Sequence, residues 1–87
     1  MTLPFQETKI SENIFIREFK QETDSGEYRW HRDREDRIIE SISETDWMIQ
    51  IDNQLPKVIE GIVEIPMGVY HRLIKGNGNL KIKLIKK

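Results

Sequence analysis

The chain has 87 residues, enough for one domain with a small core, because a chain this short buries a smaller share of its surface than a domain of about 100–150 residues. Its charge is balanced, with a net charge of −1 and a pI near 6.1, so no basic field exists to attract nucleic acid or an anionic membrane. There is no cysteine, which excludes disulfide staples, thiolate metal sites and a cysteine nucleophile together.

The N-terminal "MTLPFQETKISENIF" has no basic segment followed by an apolar one, and no apolar run approaches the ~20 residues that span a bilayer. A soluble, cytoplasmic protein is the expectation. Hydrophobic residues make up only 37% of the chain, yet they fall in alternating clusters that a disordered chain lacks. One folded domain over residues 1–87 is expected, with residues 1–12 as an N-terminal extension, a core over about 13–86, and a homodimer partner supporting that core.

Period-two alternation bounded by turn residues recurs from about residue 13 onward, while helical periodicity is scarce. In "NIFIREFKQ", Phe15, Arg17 and Phe19 share one face and Ile14 and Ile16 the other. "TDSG", residues 23–26, carries turn chemistry, and "EYRWH" reads as the next strand. "RIIESIS" places Ile38 and Ile42 on one face and Ile39 on the other, before a polar "SETD" turn. "WMIQID" puts Trp47, Ile49 and Ile51 on one face, and "DNQ" at 52–54 turns tightly into "LPKVIEG", where Pro56 favours an edge or a strand start. "IVEIPMG" is a short strand stopped by Pro66 and Gly68. "VYHRLIK" then runs into "GNGN", residues 76–79, the strongest hairpin signal in the chain, since Asn and Gly accept the positive φ of primed turns. "LKIKLIKK" alternates most cleanly, with Leu80, Ile82 and Leu84 toward a core and Lys81 and Lys83 toward water, where they also protect a sheet edge. Seven or eight short strands and no helix of note predict an all-β fold, a small barrel or jelly roll that removes exposed edges.

On a strand, residues i and i+2 lie on one face, so His31 and Asp33 point together while Trp30, Arg32 and Arg34 point the other way. Arg29 and Glu35 join the His31 face if the strand continues. The only other histidine, His71, follows the "PMG" turn. Two histidines and one carboxylate compose the facial triad of non-haem Fe(II) sites, and the same set could hold Zn(II), Mn(II), Ni(II) or Co(II).

The segment "IPMGVYHRL" resembles the second motif of the cupin superfamily, G-x5-P-x-G-x2-H-x3-N, with Gly61, Pro66, Gly68 and His71 at its fixed positions. Gly61 lies one residue closer to Pro66 than the pattern asks, and Lys75 replaces the asparagine. "GEYRWHRD" resembles the start of the first motif, G-x5-H-x-H-x3,4-E-x6-G, with His31 and Asp33 at the two histidine positions and Gly26 one residue close. The glutamate position falls at Arg37 or Ile38, and Glu35 or Asp36 could replace that ligand only with a local change of register. The resemblance spans roughly residues 13–86. It implies a small β-barrel in which His31, Asp33 and His71 meet at a central pocket, with Pro66 and Gly68 shaping the turn that presents His71. It also implies a divalent metal, Fe, Mn, Zn or Ni, and a small polar ligand or substrate; no organic cofactor is indicated.

Arg29, pointing inward, could pair with a substrate carboxylate through its planar fork, and Glu35 would lie beside it as a second substrate-binding residue. Arg32, Arg34 and Arg37 interleave with Asp33, Glu35 and Asp36 and read otherwise as a solvated network of ion pairs. Trp30, Trp47, Tyr28 and Tyr70 read as packing groups. There is no G-x-S-x-G nucleophile elbow and no phosphate-cradling P-loop. The alternatives are a metal-free barrel, in which the two histidines and Asp33 form a hydrogen-bonded polar cluster and the domain binds a ligand or protein partner, and an assembly component with an apolar dimer face.

Overall fold

The computed structural model describes residues 5–22, 24 and 26–87. Strands β1 (Phe5–Ser11), β2 (Ile14–Phe19), β3 (Arg37–Ser41), β6 (Ile62–Ile65) and β8 (Leu80–Lys86) form one sheet in the order β1-β2-β8-β3-β6. Strands β4 (Met48–Ile51), β5 (Lys57–Val58) and β7 (His71–Ile74) form a second, in the order β5-β4-β7. Every pairing is antiparallel. The fold is all-β, and among the described residues no helix is long and apolar enough to cross a membrane.

The inner faces of both sheets contribute to one core, because alternation along each strand turns every second residue inward. From the larger sheet come Phe19, Ile39, Val63, Ile65, Leu80, Ile82 and Leu84; from the smaller come Ile49, Ile51 and Leu73, with Trp47 just before β4. Trp47 is fully buried, its ring centroid 5.8 Å from Tyr28 and 6.4 Å from Phe19. Trp30 and Tyr70 are not core residues as expected: each is 44% exposed on the outer face, with Arg72 over the Trp30 ring and Arg32 over the Tyr70 ring. They fall on the outward side of the same alternation that turns His31 and His71 inward.

Three local expectations are corrected. "EYRWH" is not a strand: Gly26–Tyr28 forms a 3-10 turn, closed by Arg29 N–H donating to the Gly26 carbonyl at 3.2 Å, and only His31 pairs, as an isolated bridge to His71. Too few apolar residues alternate there to hold a strand against a sheet. "GNGN" is not a hairpin, because β7 and β8 belong to different sheets and the segment crosses between them. The expected N-terminal extension carries, in its described part, the edge strand β1, whose residues beyond Phe5 are exposed and therefore gave no apolar period. The turn expected at 23–26 includes Thr23 and Ser25, which lie outside the described residues. "DNQ" does close a hairpin, between β4 and β5, with Asn53 at φ 62°.

The crossing between the sheets is clasped at Asp46, whose carboxylate accepts Asn77 N–H at 2.7 Å and Asn77 Nδ2 at 2.8 Å. A Cβ at Gly76 would meet the Asp46 carboxylate and stand 2.7 Å from Trp47 N. Gly76→Ala is therefore expected to lower stability by about 1–3 kcal/mol, as overpacking does, read as a lower urea midpoint at unchanged m. An unchanged midpoint would mean that the clasp yields without cost.

Candidate metal centre

His71 opens β7 between two neighbours. On one side it pairs with Ile51 of β4; on the other it exchanges two backbone hydrogen bonds with His31, His31 N–H to the His71 carbonyl at 3.0 Å and His71 N–H to the His31 carbonyl at 2.8 Å. Directly opposed residues place their side chains on the same face, so both imidazoles turn inward with ring centroids 4.3 Å apart. Asp33, two residues past His31, follows on that face, as the alternation requires. The turn before β7 is built by Pro66 and Gly68: Val69 N–H donates to the Pro66 carbonyl at 3.2 Å, and Gly68 takes φ 78° at the position where a type II turn demands a positive value. That turn is tied back to the Asp33 segment by Gly68 N–H donating to the Asp33 carbonyl at 3.0 Å and Met67 N–H to Asp36 Oδ1 at 2.7 Å.

The two imidazoles are held alike. His31 Nδ1 lies 2.8 Å from the Arg29 carbonyl and His71 Nδ1 lies 2.8 Å from the Val69 carbonyl. A carbonyl only accepts, so each Nδ1 carries a proton and donates it there, and Nε2 is the atom left to face the carboxylates. His71 Nε2 is 3.1 Å from Asp33 Oδ2, and His31 Nε2 is 2.8 Å from Glu27 Oε2. With His31 protonated, Nε2–H donates to Glu27 and the two form an ion pair. Ligand atoms of His31, Asp33 and His71 all fall within 4.8 Å of one another, a spacing at which one metal ion could touch all three.

Guanidiniums stand behind the carboxylates. Arg17, 8% exposed, donates from Nε to Glu7 at 2.6 Å and places Nη1 3.5 Å from Glu27 Oε1. Arg37 Nε is 2.7 Å from Glu35 Oε1 and 3.4 Å from Asp33 Oδ2. In this connected network four carboxylates meet two guanidiniums, so two negative charges remain for the histidines or a bound cation to balance.

No protein-family model matches the chain, and a search of curated proteins found no relative. Solved structures do resemble it. A cupin domain from Bordetella pertussis superimposes with a TM-score of 0.62 at 18% identity, over 100% of this chain and 98% of that one. An RmlC-like cupin family protein with a double-stranded β-helix fold from Methanocaldococcus jannaschii gives 0.65 at 19% identity, over 98% and 79%. A cupin-2 domain protein from Shewanella frigidimarina gives 0.64 at 20%, over 93% and 76%. The chain has the cupin fold.

Arg37 borders a small central cavity of ≈ 30 Å³ together with Arg17, Glu27 and His71. That space suits about one water molecule. Arg29 and Glu35, the expected substrate contacts, do not line it: Arg29 is exposed, and Glu35 pairs with Arg37. The 3-10 turn ends the strand whose continuation would have carried Arg29 inward. A larger open depression of ≈ 410 Å³, bordered by Ser41, Thr45, Ile59 and Glu60, touches none of the histidine cluster, and its polar residues are exposed or half-buried. Arg17, Arg37 and Glu27 were the residues sequence reading missed. Arg17 carried a signal, a charge in the middle of the Phe15–Phe19 face that the cupin core buries.

Burial opposes the charged form of His31, but the adjacent Glu27 carboxylate, the Arg29 carbonyl and Asp33 outweigh it, so its pKa lies above the usual 6.5. Burial likewise pushes Glu27 upward, and His31, Arg17 and Arg37 outweigh that, so its pKa lies below 4.5. The signs then fix a window. The Glu27 contribution is complete above pH 4.5 and lost as pH falls through its lowered folded value, while that of His31 is complete below pH 6.5 and lost as pH rises through its raised folded value. In chelator-treated protein, the stability gap between wild type and Glu27→Gln is expected to be widest between pH 4.5 and 6.5 and to narrow above it, measured by urea unfolding across pH. A gap that widens toward alkaline pH would contradict the pairing.

Proposed function

We propose that this cupin-fold domain binds one divalent metal ion through His31, Asp33 and His71 and presents it to a small polar molecule. The observation that carries the reading is the convergence of His31, Asp33 and His71, whose ligand atoms all lie within 4.8 Å of one another in a network where four carboxylates meet two guanidiniums. The donor set, two imidazoles and a carboxylate, suits Fe, Mn, Zn or Ni. Such an ion would supply Lewis-acid or redox chemistry at the coordination positions three ligands leave open. The protein's part is to orient: the Arg29 and Val69 carbonyls hold both imidazoles through Nδ1, and Arg37 stands behind Asp33.

Arg37 favours a second reading, a metal-free cluster in which two protons supply the missing charge, since a guanidinium 3.4 Å from Asp33 Oδ2 competes with an added cation. Elemental analysis of untagged protein prepared without chelator, followed by titration with Fe(II), Mn(II), Zn(II) and Ni(II), separates the two. Near-stoichiometric metal is expected. Absence of any of these metals, before and after titration, would reject the first reading and leave the second.

A further inference from the structure

We propose that the outer face of the larger sheet is the contact between two copies of this chain, packed about a two-fold axis that runs along the strands between β8 and β3. Phe19, Ile39, Val63, Ile82 and Leu84 turn into the core, so the residues that alternate with them face outward. The registers set those outward residues in rows. Ile14, Ile85 and Ile38 stand side by side across β2, β8 and β3, with Glu64 of β6 at the end; in the next row stand Ile16, Lys83, Glu40 and Ile62. A sheet face left to water is normally polar, whereas isoleucines dominate both of these rows. Ile62 is 64% exposed, and the other four are shielded only in part by their neighbours. A connected apolar face of this kind marks a contact with another molecule. β8 is the central strand of the sheet, so Lys81 and Lys83 guard no edge, contrary to the expectation from the sequence, and Lys83 lies in the middle of the face.

The order within the rows selects a second copy as the occupant. An axis along the strands between β8 and β3 exchanges those two strands, and with them β2 and β6. Lys83 then meets the second copy's Glu40, and Glu40 the second copy's Lys83, so that four charges alternate in sign around a square. Ile85 meets the second copy's Ile38, and Ile16 the second copy's Ile62, each contact made twice. Only Ile14, at the rim, falls opposite an acid, Glu64. An axis laid across the strands on the Lys83 row would instead set each charge against its own kind. Both charges are available, since among the described residues neither Lys83 nor Glu40 enters an ion pair, although they are neighbours in the ladder. The outer side of the smaller sheet has no such complement, because the charges beside Trp30 and Tyr70 are Arg72 and Arg32, both of one sign. Five strands about 4.8 Å apart and about five residues long outline roughly 400 Å², so two copies would bury on the order of 800–1,000 Å², at the small end of specific interfaces. The dimer is therefore weak and exchanges with monomer.

Sedimentation velocity of the full chain from about 1 μM to about 1 mM tests this, with folding checked by circular dichroism. Wild type is expected to move from the mass of one chain, 10.4 kDa, to that of two as concentration rises. Lys83→Glu, which sets acid against acid, is expected to weaken association at least about 10-fold, and the exchange Lys83→Glu with Glu40→Lys to restore it. Lys57→Glu, an equal charge change on exposed β5, should match wild type. If Lys83→Glu fails to fold, Ile62→Lys places a charge at the most exposed apolar position of the face and is expected to weaken association to the same degree. A wild type that stays monomeric throughout would overturn the proposal and leave the face to water or to another protein. So would a dimer that neither face variant weakens, a mass that grows past two chains, or a charge exchange that fails to restore association.

Discussion

Trp47→Ala is expected to lower the unfolding free energy by about 3–5 kcal/mol, the range for truncating a fully buried aromatic. An 87-residue domain has roughly 4–13 kcal/mol in all, so the variant would lose from about a quarter of its stability to all of it. The size of the effect follows from what the side chain joins. Its ring is the meeting point of Phe19 from the larger sheet and Tyr28 from the 3-10 turn, and its Nε1 donates to the Gly78 carbonyl at 3.1 Å, tying down the crossing between β7 and β8. Loss of the ring therefore opens a cavity, leaves that carbonyl without its donor and loosens the turn that carries Glu27. Trp47→Phe separates these contributions, since it keeps much of the ring but removes the donor, and a smaller loss is expected. Urea unfolding with an unchanged m-value is the measurement. A loss below about 1 kcal/mol for Trp47→Ala would mean that the two sheets close over the gap, contrary to the close packing expected of a core.

The alternation that made β4 and β8 legible is a local property: Ile49 and Ile51, or Leu80, Ile82 and Leu84, declare a buried face whatever strand lies alongside. Partner choice is not local. The glycines and asparagines of residues 76–79 prescribe a turn, yet whether the next strand pairs back or crosses to the opposite sheet is decided by the Asp46 clasp and the Trp47 ring, some thirty residues earlier. For the same reason β1 was invisible as a strand, because an exposed edge strand obtains its order from backbone bonds to β2 and not from an apolar period. The candidate centre divides along the same line. His31 and Asp33 were legible as a pair through their two-residue spacing, and the resemblance to the cupin motifs joined them to His71. Arg37 was read among solvated charges, although it is half-buried and directed at Asp33; alternating charge in a sequence cannot distinguish an ion pair in water from one that closes a cavity.

His71→Ala is expected to abolish the metal-dependent gain in stability while leaving a folded domain. In wild type, metal at about one hundred times its dissociation constant would stabilise the native state by about 2.7 kcal/mol. For a domain of this size that is a rise in melting temperature of about 10–20 °C. His71 is 4% exposed and its Nε2 lies 3.1 Å from Asp33, so its removal leaves that carboxylate beside Arg37 and deprives an ion of one of the two nitrogens. The loss of affinity should exceed the roughly 10–100-fold that follows removal of an outer hydrogen-bond partner. In chelator-treated protein the same substitution removes the Nδ1 bond to Val69 and the partner of a buried carboxylate, so a lower melting temperature than wild type is expected even without metal. The two effects are read apart by melting each protein with chelator and with added metal and comparing the shifts. A wild-type shift that survives in His71→Ala would place the ion elsewhere. If wild type does not shift with any of Fe(II), Mn(II), Zn(II) or Ni(II), the two missing charges of the network must be supplied by protons on its histidines, and the cavity between Arg17 and Arg37 would then be the interior of a polar cluster whose work is structural.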